Sequence, residues 1–435
     1  MSPARALYTV LGSAALPWLP LRLWWRGRRE PGYRLHIGER FGRYAPASDR
    51  VPARPRFWIH AVSVGETRAS APLVERLRGT YPGAAILMTH MTATGRETGR
   101  VLFGDAVEQA WLPYDVPFAV RSFYARFRPL AGFLLETELW PNLVAEARAA
   151  GVALYLVNAR LSERSARGYA RFPAITRPML GALTGVAAQS EADAARFSAL
   201  GASAPIVTGN LKFDVSVPAQ VRELAAGFRL RFGATRPVWV AASTRDGEEG
   251  LILDALARRP LPEDALTVIV PRHPQRFATV AELLRARGIP FARRSDREST
   301  PVTADTPVVL GDSMGEMLAY YAAADVAFVG GSLLPLGGQN LIEPLAVGTP
   351  VLIGPHTFNF SEASAGAIDA GAALRVNDVD ALVESVTALL ADGKRRAAMS
   401  RAALDFHALH AGAADRLWEW LARQLPAPGL HDLNR

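Results

Sequence analysis

The chain has no cysteine among its 435 residues. That excludes a disulfide framework, a thiolate nucleophile and a cysteine-bound zinc. Lysine is nearly missing too: Lys212 and Lys394 are the only two, so almost all of the 49 basic residues are arginines. The uncharged run at the amino terminus, Ala6–Leu21, has 16 residues. As a helix it would reach roughly 24 Å against a hydrocarbon core of ~30 Å, and Pro17 and Pro20 interrupt it. No G-x-G-x-x-G follows the first candidate strand, so a dinucleotide-binding fingerprint is not met. There is no internal repeat of solenoid length. Neither an Asp-x-Asp motif nor a His/Asp cluster with metal-ligand spacing is picked out, and no metal is expected.

What is present describes a globular protein. Apolar residues make up 49% and charged residues 21%, a balance that argues against extended disorder. The length exceeds what one hydrophobic core organises, so two domains plus appendages are expected. The net charge is +8. A base-composition bias toward arginine accounts for such an excess without function. The functional reading is attraction to phosphates, on lipid head groups or on a nucleotide. The arginines are scattered and carry no nucleic-acid-binding signature, so no nucleic-acid partner is expected.

Residues 1–30 read as a membrane anchor. Ala6–Leu21 is followed by Arg22, Trp24, Trp25, Arg26, Arg28 and Arg29. Trp18, Trp24 and Trp25 suit the head-group boundary, and the arginine collar would hold the body of the chain on the cytoplasmic side of an anionic membrane surface. Length and prolines favour an interfacial or partly inserted helix over a full span. A cleaved signal peptide is a weaker alternative, since Arg5 and Ser13-Ala14-Ala15 make a poor version of its pattern. A core-packed helix is the other.

After a polar connector, residues 31–54, short apolar runs alternate with helical stretches such as Glu66–Arg78 and Pro117–Phe127. Candidate strands are Phe57–Val62, Ala85–Thr89, Val107–Leu112, Leu130–Leu135, Ala153–Val157, Gly185–Gln189 and Pro205–Thr208. The rhythm loosens over Gly209–Arg236 and restarts with Val238–Ala242, Leu266–Val270, Val308–Leu310, Val326–Val329 and Val351–Ile353. This is an α/β pattern of two Rossmann-like domains, residues 31–214 and 215–408, with a facing cleft expected at the strand C-termini. Residues 409–435 contain an amphipathic, Trp-bearing helical pattern that could pack back on the first domain.

Six segments at predicted strand ends carry chemistry. In Trp58–Thr67 a strand meets a small-residue turn and a helix opens near Glu66. Glu66 is then a catalytic acid or base, or a capping acid stabilised by the helix dipole. Glu136 and Glu138 follow the next such strand. On an extended segment they share a face and invite hydroxyl binding or acid/base work; at a helix start they are first-turn acids. Asn158 and Arg160, past the following strand, are assigned with them to the acceptor or cleft side. Ser243 and Thr244 end a strand before a helix, which makes a phosphate site or an ordinary cap. Arg272 and His273 emerge between Pro271 and Pro274, and a planar guanidinium suits phosphate or carboxylate. Met314, Gly315 and Glu316 occupy another strand-to-helix turn. In Gly330–Pro344 a Gly-rich loop feeds a helix with Asn340 and Glu343 three apart. A carboxylate so placed can accept both hydroxyls of a ribose.

In this order the motifs resemble the family of transferases that attach 3-deoxy-D-manno-octulosonic acid (Kdo) to the lipid A precursor, which is similar in architecture to the two-domain GT-B glycosyltransferases. The resemblance rests on the apolar-then-Arg amino terminus, Glu39-Arg-Phe-Gly42, His60–Glu66, Leu135–Asn142, Gly209–Phe213, Pro271–Pro274, Met314–Glu316 and Gly337–Pro344. It implies a CMP-Kdo donor, a lipid A precursor (lipid IVA) as acceptor, inverting transfer without metal or cofactor, and a place on the cytoplasmic face of an inner membrane. Glu66 matches the family's catalytic base. Arg272, Met314, Glu316, Asn340 and Glu343 match its nucleotide-contacting region, to which Ser243, Thr244, His273 and Gly315 are added as expected donor contacts. The family usually has His where this chain has Gln339. Two rivals stand beside this reading: a GT-B transferase or epimerase using another nucleotide sugar, and a non-catalytic membrane-associated scaffold.

Overall fold

The computed structural model describes residues 2–28, 30–45, 54–296 and 302–427. Arg29 of the basic collar, residues 46–53 of the connector and residues 428–435 of the tail lie outside the described residues. The chain forms two compact units. One is Met1–Asp214 together with Gly412–Arg435, and the other is Val215–Ala411.

The first unit is built on seven strands: β1 (Arg56–His60), β2 (Ala85–His90), β3 (Glu108–Trp111), β4 (Ala131–Leu135), β5 (Ala153–Ala159), β6 (Gly185–Ala188) and β7 (Ile206–Val207). They lie in the order β3-β2-β1-β4-β5-β6-β7, and every pairing is parallel. A parallel sheet is covered on both faces, so the middles of its central strands are near-continuous apolar runs. The period of two divides them between two cores. Trp58, Leu134, Leu154 and Leu156 face one side with Phe123 and Leu143. Phe57, Ile59, Phe133, Leu135, Tyr155 and Val157 face the other with Leu73, Leu417 and Leu421. Gly132 makes room for the Trp58 indole, because a Cβ there would stand 2.5 Å from the ring.

The second unit repeats the plan. Its strands are β8 (Val238–Thr244), β9 (Leu266–Pro271), β10 (Phe291–Arg293), β11 (Val308–Leu310), β12 (Val326–Val329), β13 (Val351–Ile353) and β14 (Ala373–Arg375). Their order is β10-β11-β9-β8-β12-β13-β14, again all parallel. β10 and β14 have no counterpart among the predicted strands. Each is three residues long, lies at a sheet edge and carries an arginine, Arg293 or Arg375, so neither shows the uninterrupted apolar run by which β11 and β13 were read. The helix expected over Glu66–Arg78 is two helices, Val64–Ala69 and Ala71–Thr80. Pro72 stands in the first turn of the second, where a missing N–H is tolerated.

The amino terminus forms helices Pro3–Ala15 and Leu19–Arg26, joined by a 3-10 turn at Leu16–Trp18. Pro17 and Pro20 each fall in a first turn. The first helix is docked on the unit by polar contacts: Thr9 with Asn142 at 3.2 Å, Arg5 with Glu146 at 3.9 Å, and the Tyr8 hydroxyl with Asp115. Leu7, Val10, Leu11, Trp18, Leu21, Trp24 and Trp25 remain exposed. Among the described residues no helix is long and apolar enough to cross a membrane.

At the other end, the helix Ala413–Ala422 buries Leu417 and Leu421 in the first unit's core and sets Trp420 edge-on to Tyr155. Asp214 holds it in place, accepting the amides of Gly412 and Ala414 at 2.6 Å each. Those amides belong to the helix start, where an acceptor satisfies otherwise orphaned donors. Asp214→Ala is expected to lower stability by about 1–2 kcal/mol, read as a fall in melting temperature together with faster proteolysis of the carboxy-terminal helix.

Candidate active site

In an open parallel sheet, ligands bind outside the strand C-termini where the strand order reverses. In the first unit the reversal lies between β1 and β4. Glu66 follows β1, and Glu136 and Glu138 follow β4, so the three acids meet there. In the second unit the reversal lies between β8 and β12. Ser243 and Thr244 end β8, and Gly330–Glu343 follow β12. Arg272 and His273, after β9, and Met314–Glu316, after β11, continue the same row.

Glu66 is the third residue of its helix, whose N-cap is Ser63. The Ser63 Oγ accepts from the Glu66 amide at 3.3 Å and donates to Glu66 Oε1 at 2.7 Å, while the Val62 amide donates to Oε2 at 2.8 Å. Such a capping box, over a helix N-terminus, favours the carboxylate. Burial opposes it and wins. Glu66 is 7% exposed, and burial together with the nearby Glu136 pushes its carboxyl from 4.5 up to about 7, with Glu138 adding to the rise. His60, at the head of the same motif, is no rival base. It is wholly buried and held down to about 3, first by burial and then by His90, with Nδ1 bonded to the Thr89 hydroxyl at 2.8 Å.

Glu136 is in the left-handed region, φ +57, and Asn158 is as well, φ +50. A non-glycine residue is rarely found there and costs of order 1 kcal/mol. Both conformations serve the edge. The Glu136 amide donates to the Val157 carbonyl at 3.1 Å, and its carboxylate accepts from Lys212 Nζ at 2.8 Å. The Asn158 Oδ1 accepts from the Leu211 amide at 3.0 Å, so Asn158 holds the segment that delivers Lys212. The Lys212 Cε lies 4.0 Å from where a Cβ on Gly65 would be, beside Glu66. Glu138 is raised by burial, partly offset by the Trp140 indole N–H at 3.0 Å. The Arg160 carbonyl accepts from the Thr137 hydroxyl, which ties the two loops together. Lys212 was absent from the site residues picked out of the sequence. Its signal was there, as one of two lysines in an arginine-rich chain.

In the second unit the loop after β12 presses on the end of β8. A Cβ on Gly330 would come within 2.7 Å of the Ser243 carbonyl and the Thr244 Cα, and Ser243 itself adopts φ +53. Thr244 is fully buried, and its hydroxyl donates to Glu249 at 2.9 Å. The helix opens only at Glu248. The Glu248 carboxylate, also fully buried, accepts the amides of Arg245, Gly331 and Leu333 at 2.9, 2.6 and 3.1 Å. Those amides and the Thr244 hydroxyl therefore brace the loops internally. The His273 imidazole is held below its ordinary value by partial desolvation and by Arg245, Arg272 and Arg276 around it.

Arg272 donates through Nε to Gln339 Oε1 at 3.1 Å, so Gln339 orients the guanidinium. Asn340 accepts the Ile342 amide at 3.0 Å and donates to Glu343 at 3.1 Å, which fixes that carboxylate at the mouth of its helix. Glu316 is committed elsewhere. Arg294 binds it in a bidentate pair at 3.0 and 2.7 Å, and the Ser313 hydroxyl donates to it. It therefore shapes the turn that exposes Met314 and Gly315. Arg294 and Glu248 were not singled out from the sequence, because Arg294 pairs with Glu316 and Glu248 with Gly331 and Leu333, all distant in sequence; Arg245 was not singled out either. The sequence does hold one Asp-x-Asp spacing, Asp378–Asp380. Asp378 caps a helix at the Ala381 amide, and Asp380 pairs with Arg258 at 2.7 Å. Among the described residues no group of three or more His, Asp or Glu is placed to hold a metal ion.

Residues 35–215 match the family model described as 3-deoxy-D-manno-octulosonic-acid transferase (kdotransferase), and residues 296–406 match glycosyl transferases group 1. The chain is 47% identical over 431 residues to the 3-deoxy-D-manno-octulosonic acid transferase of Bordetella pertussis, covering 96% of this chain and 99% of that one. It is 38% identical to the protein of the same name from Haemophilus influenzae, covering 90% and 92%. Its fold is similar to that of UDP-GlcNAc 2-epimerase from Neisseria meningitidis bound to UDP-GlcNAc, with a TM-score of 0.56 at 14% identity over 85% of this chain and 100% of that one.

The raised Glu66 carboxyl has a consequence for stability. Between pH 4.5 and about 7 the folded chain keeps a proton there that the unfolded chain releases, so stability falls as pH rises across that window. Glu66→Gln removes the buried charge and keeps an acceptor oxygen. It should melt above the wild type at pH 8, by on the order of 1–3 kcal/mol, and the gain should vanish below pH 4.5. Thermal melts of both proteins across pH check this.

Proposed function

The chain belongs to the 3-deoxy-D-manno-octulosonic acid transferase family, a family of glycosyltransferases, and from that membership we propose that it transfers Kdo from CMP-Kdo to the lipid A precursor, lipid IVA, with inversion, without a metal, and with Glu66 as general base. The observation that carries the reading is the Glu66 carboxyl itself, which is buried, anchored on both oxygens and poised at about 7. A base with a pKa near the working pH combines the right protonation state with the strongest drive for proton transfer.

The acceptor hydroxyl attacks the anomeric carbon of Kdo from the face opposite CMP. Glu66 takes its proton as the new C–O bond forms and the bond to the phosphate oxygen breaks. CMP departs as a phosphate monoester anion, so what the leaving group needs is charge stabilisation more than a proton. Arg272, aimed by Gln339, with Arg245 beside it, is suited to supply that. Glu343, held by Asn340, is suited to the ribose hydroxyls, with Ser243, His273, Met314 and Gly315 along the same edge. Lys212 balances Glu136, so a proton arriving on Glu66 meets a site already close to neutral.

The amino-terminal helices, with exposed Trp18, Trp24 and Trp25 and basic Arg22, Arg26 and Arg28, would lie in the interface of an anionic membrane, on the cytoplasmic face of an inner membrane where such an acceptor resides.

The test is radiolabel transfer in detergent, with lipid A precursor, CMP and Kdo, and a synthetase forming the donor in place. Wild-type protein is expected to label the lipid, with kcat/KM rising through an apparent pKa of about 7. Glu66→Gln should lower kcat by about 10²–10⁴-fold with CMP affinity retained. Full activity in folded Glu66→Gln would remove the base assignment. Label on no lipid, by protein that binds CMP, would remove the acceptor.

A further inference from the structure

The first unit contains a pocket of about 950 Å³ that the reaction as described does not use. Its walls are apolar: Leu7 and Leu11 from the amino-terminal helix, Trp140, and Tyr169, Phe172 and Ile175 from the helices Glu163–Ala170 and Pro173–Leu180 and the turn between them. Thr137 and Glu138 form part of its lining. We infer that this pocket takes one alkyl chain of the anionic amphiphile whose hydroxyl Glu66 deprotonates. The inference rests on the acceptor class proposed above.

Four observations carry it. The volume falls within the range of sites that enclose a small-molecule ligand. Leu7, Leu11 and Phe172 are 61–64% exposed, an apolar surface that calls for an occupant. The pocket also adjoins the acids: Glu138 lines it and is near enough to Glu66 to raise its carboxyl. A chain lying in the pocket therefore puts its polar head group next to the base. Finally, the two helices that form the wall expose Arg164, Arg167, Arg171 and Arg177, cations that suit a phosphorylated head group.

The amino-terminal helix thus has a second part to play. Thr9, Arg5 and Tyr8 dock it on Asn142, Glu146 and Asp115, which fixes Leu7 and Leu11 as one side of the pocket. Substrate selection by chain follows from that docking.

Gly168 allows a clean test. It lines the pocket within a helix, and a Cβ there meets no atom within 4 Å. Gly168→Trp should fill the space without a backbone clash, in a helix interior where glycine is unfavourable anyway. One probe is the fluorescent alkyl acid dansyl-undecanoic acid. The other is a pair of acceptors, lipid A precursor and its deacylated, water-soluble counterpart. Gly168→Trp is expected to weaken probe binding at least tenfold and to cut the preference for the acylated acceptor, as a ratio of kcat/KM values, at least tenfold. Phe172→Ala, at an exposed position, should weaken probe binding in the same direction. Equal probe binding by all three folded proteins, or equal loss on both acceptors, overturns the inference. Normal transfer to the acylated acceptor by Gly168→Trp would sink the pocket and spare the proposed reaction. A wild type that binds the probe in a Gly168-sensitive way and transfers to neither acceptor would do the reverse.

Discussion

Parallel strands that are buried on both faces can be joined only by segments that travel back over the sheet, and each return deposits the strand's C-terminal end on the same edge as its neighbours. Everything chemical in this protein hangs on that constraint. The apolar runs of β1 and β4 in one unit, and of β8, β9 and β12 in the other, have no freedom to present polar groups along their length. Their loops do it instead. Because the strand order reverses next to β1 and next to β8, the loops there part to either side and leave room for a ligand. The close approach of Gly330 to Ser243, and the left-handed Glu136, Asn158 and Ser243, are local strains that the packed sheet is rigid enough to hold.

One side-chain chemistry, the carboxylate, meets four fates along these edges. Glu248 sinks fully but accepts three amides and becomes a brace. Glu316 is neutralised by a fork of two bonds from Arg294. Glu136 keeps a lysine. Glu66 has two hydrogen bonds but also burial and two neighbouring acids, and its carboxyl is lifted to about 7. Identity of residue type says nothing about role here. The balance between desolvation and donors does.

That balance also explains what could be read in advance. Most strands were legible because a doubly buried strand is a continuous apolar run with turn residues after it, and the motifs were legible because they follow those runs directly. The three-residue edge strands β10 and β14 escaped, and so did the break at Ser70. Pairings across long stretches of sequence escaped as well. The docking of Thr9 on Asn142 spans 133 positions, and the bracing of Gly331 by Glu248 spans 83. Thr244 and Glu316 looked like ligand contacts in sequence because their side chains could serve that purpose. Those side chains also bond within the unit, to Glu249 and Arg294. Lys212 was passed over although its rarity marked it.

The return of the chain at Gly412 makes the second unit an insertion within the first. On the ribosome, the first sheet emerges early, but the helix that seals one of its faces, with Leu417 and Leu421, is made only after about 200 further residues, Val215–Ala411. At about 5–20 residues per second that interval is roughly 10–40 s. Through it Phe133, Tyr155 and Val157 wait with part of their cover missing. The first unit therefore completes its core only near the end of synthesis, while every residue of the second is translated before Gly412 is read.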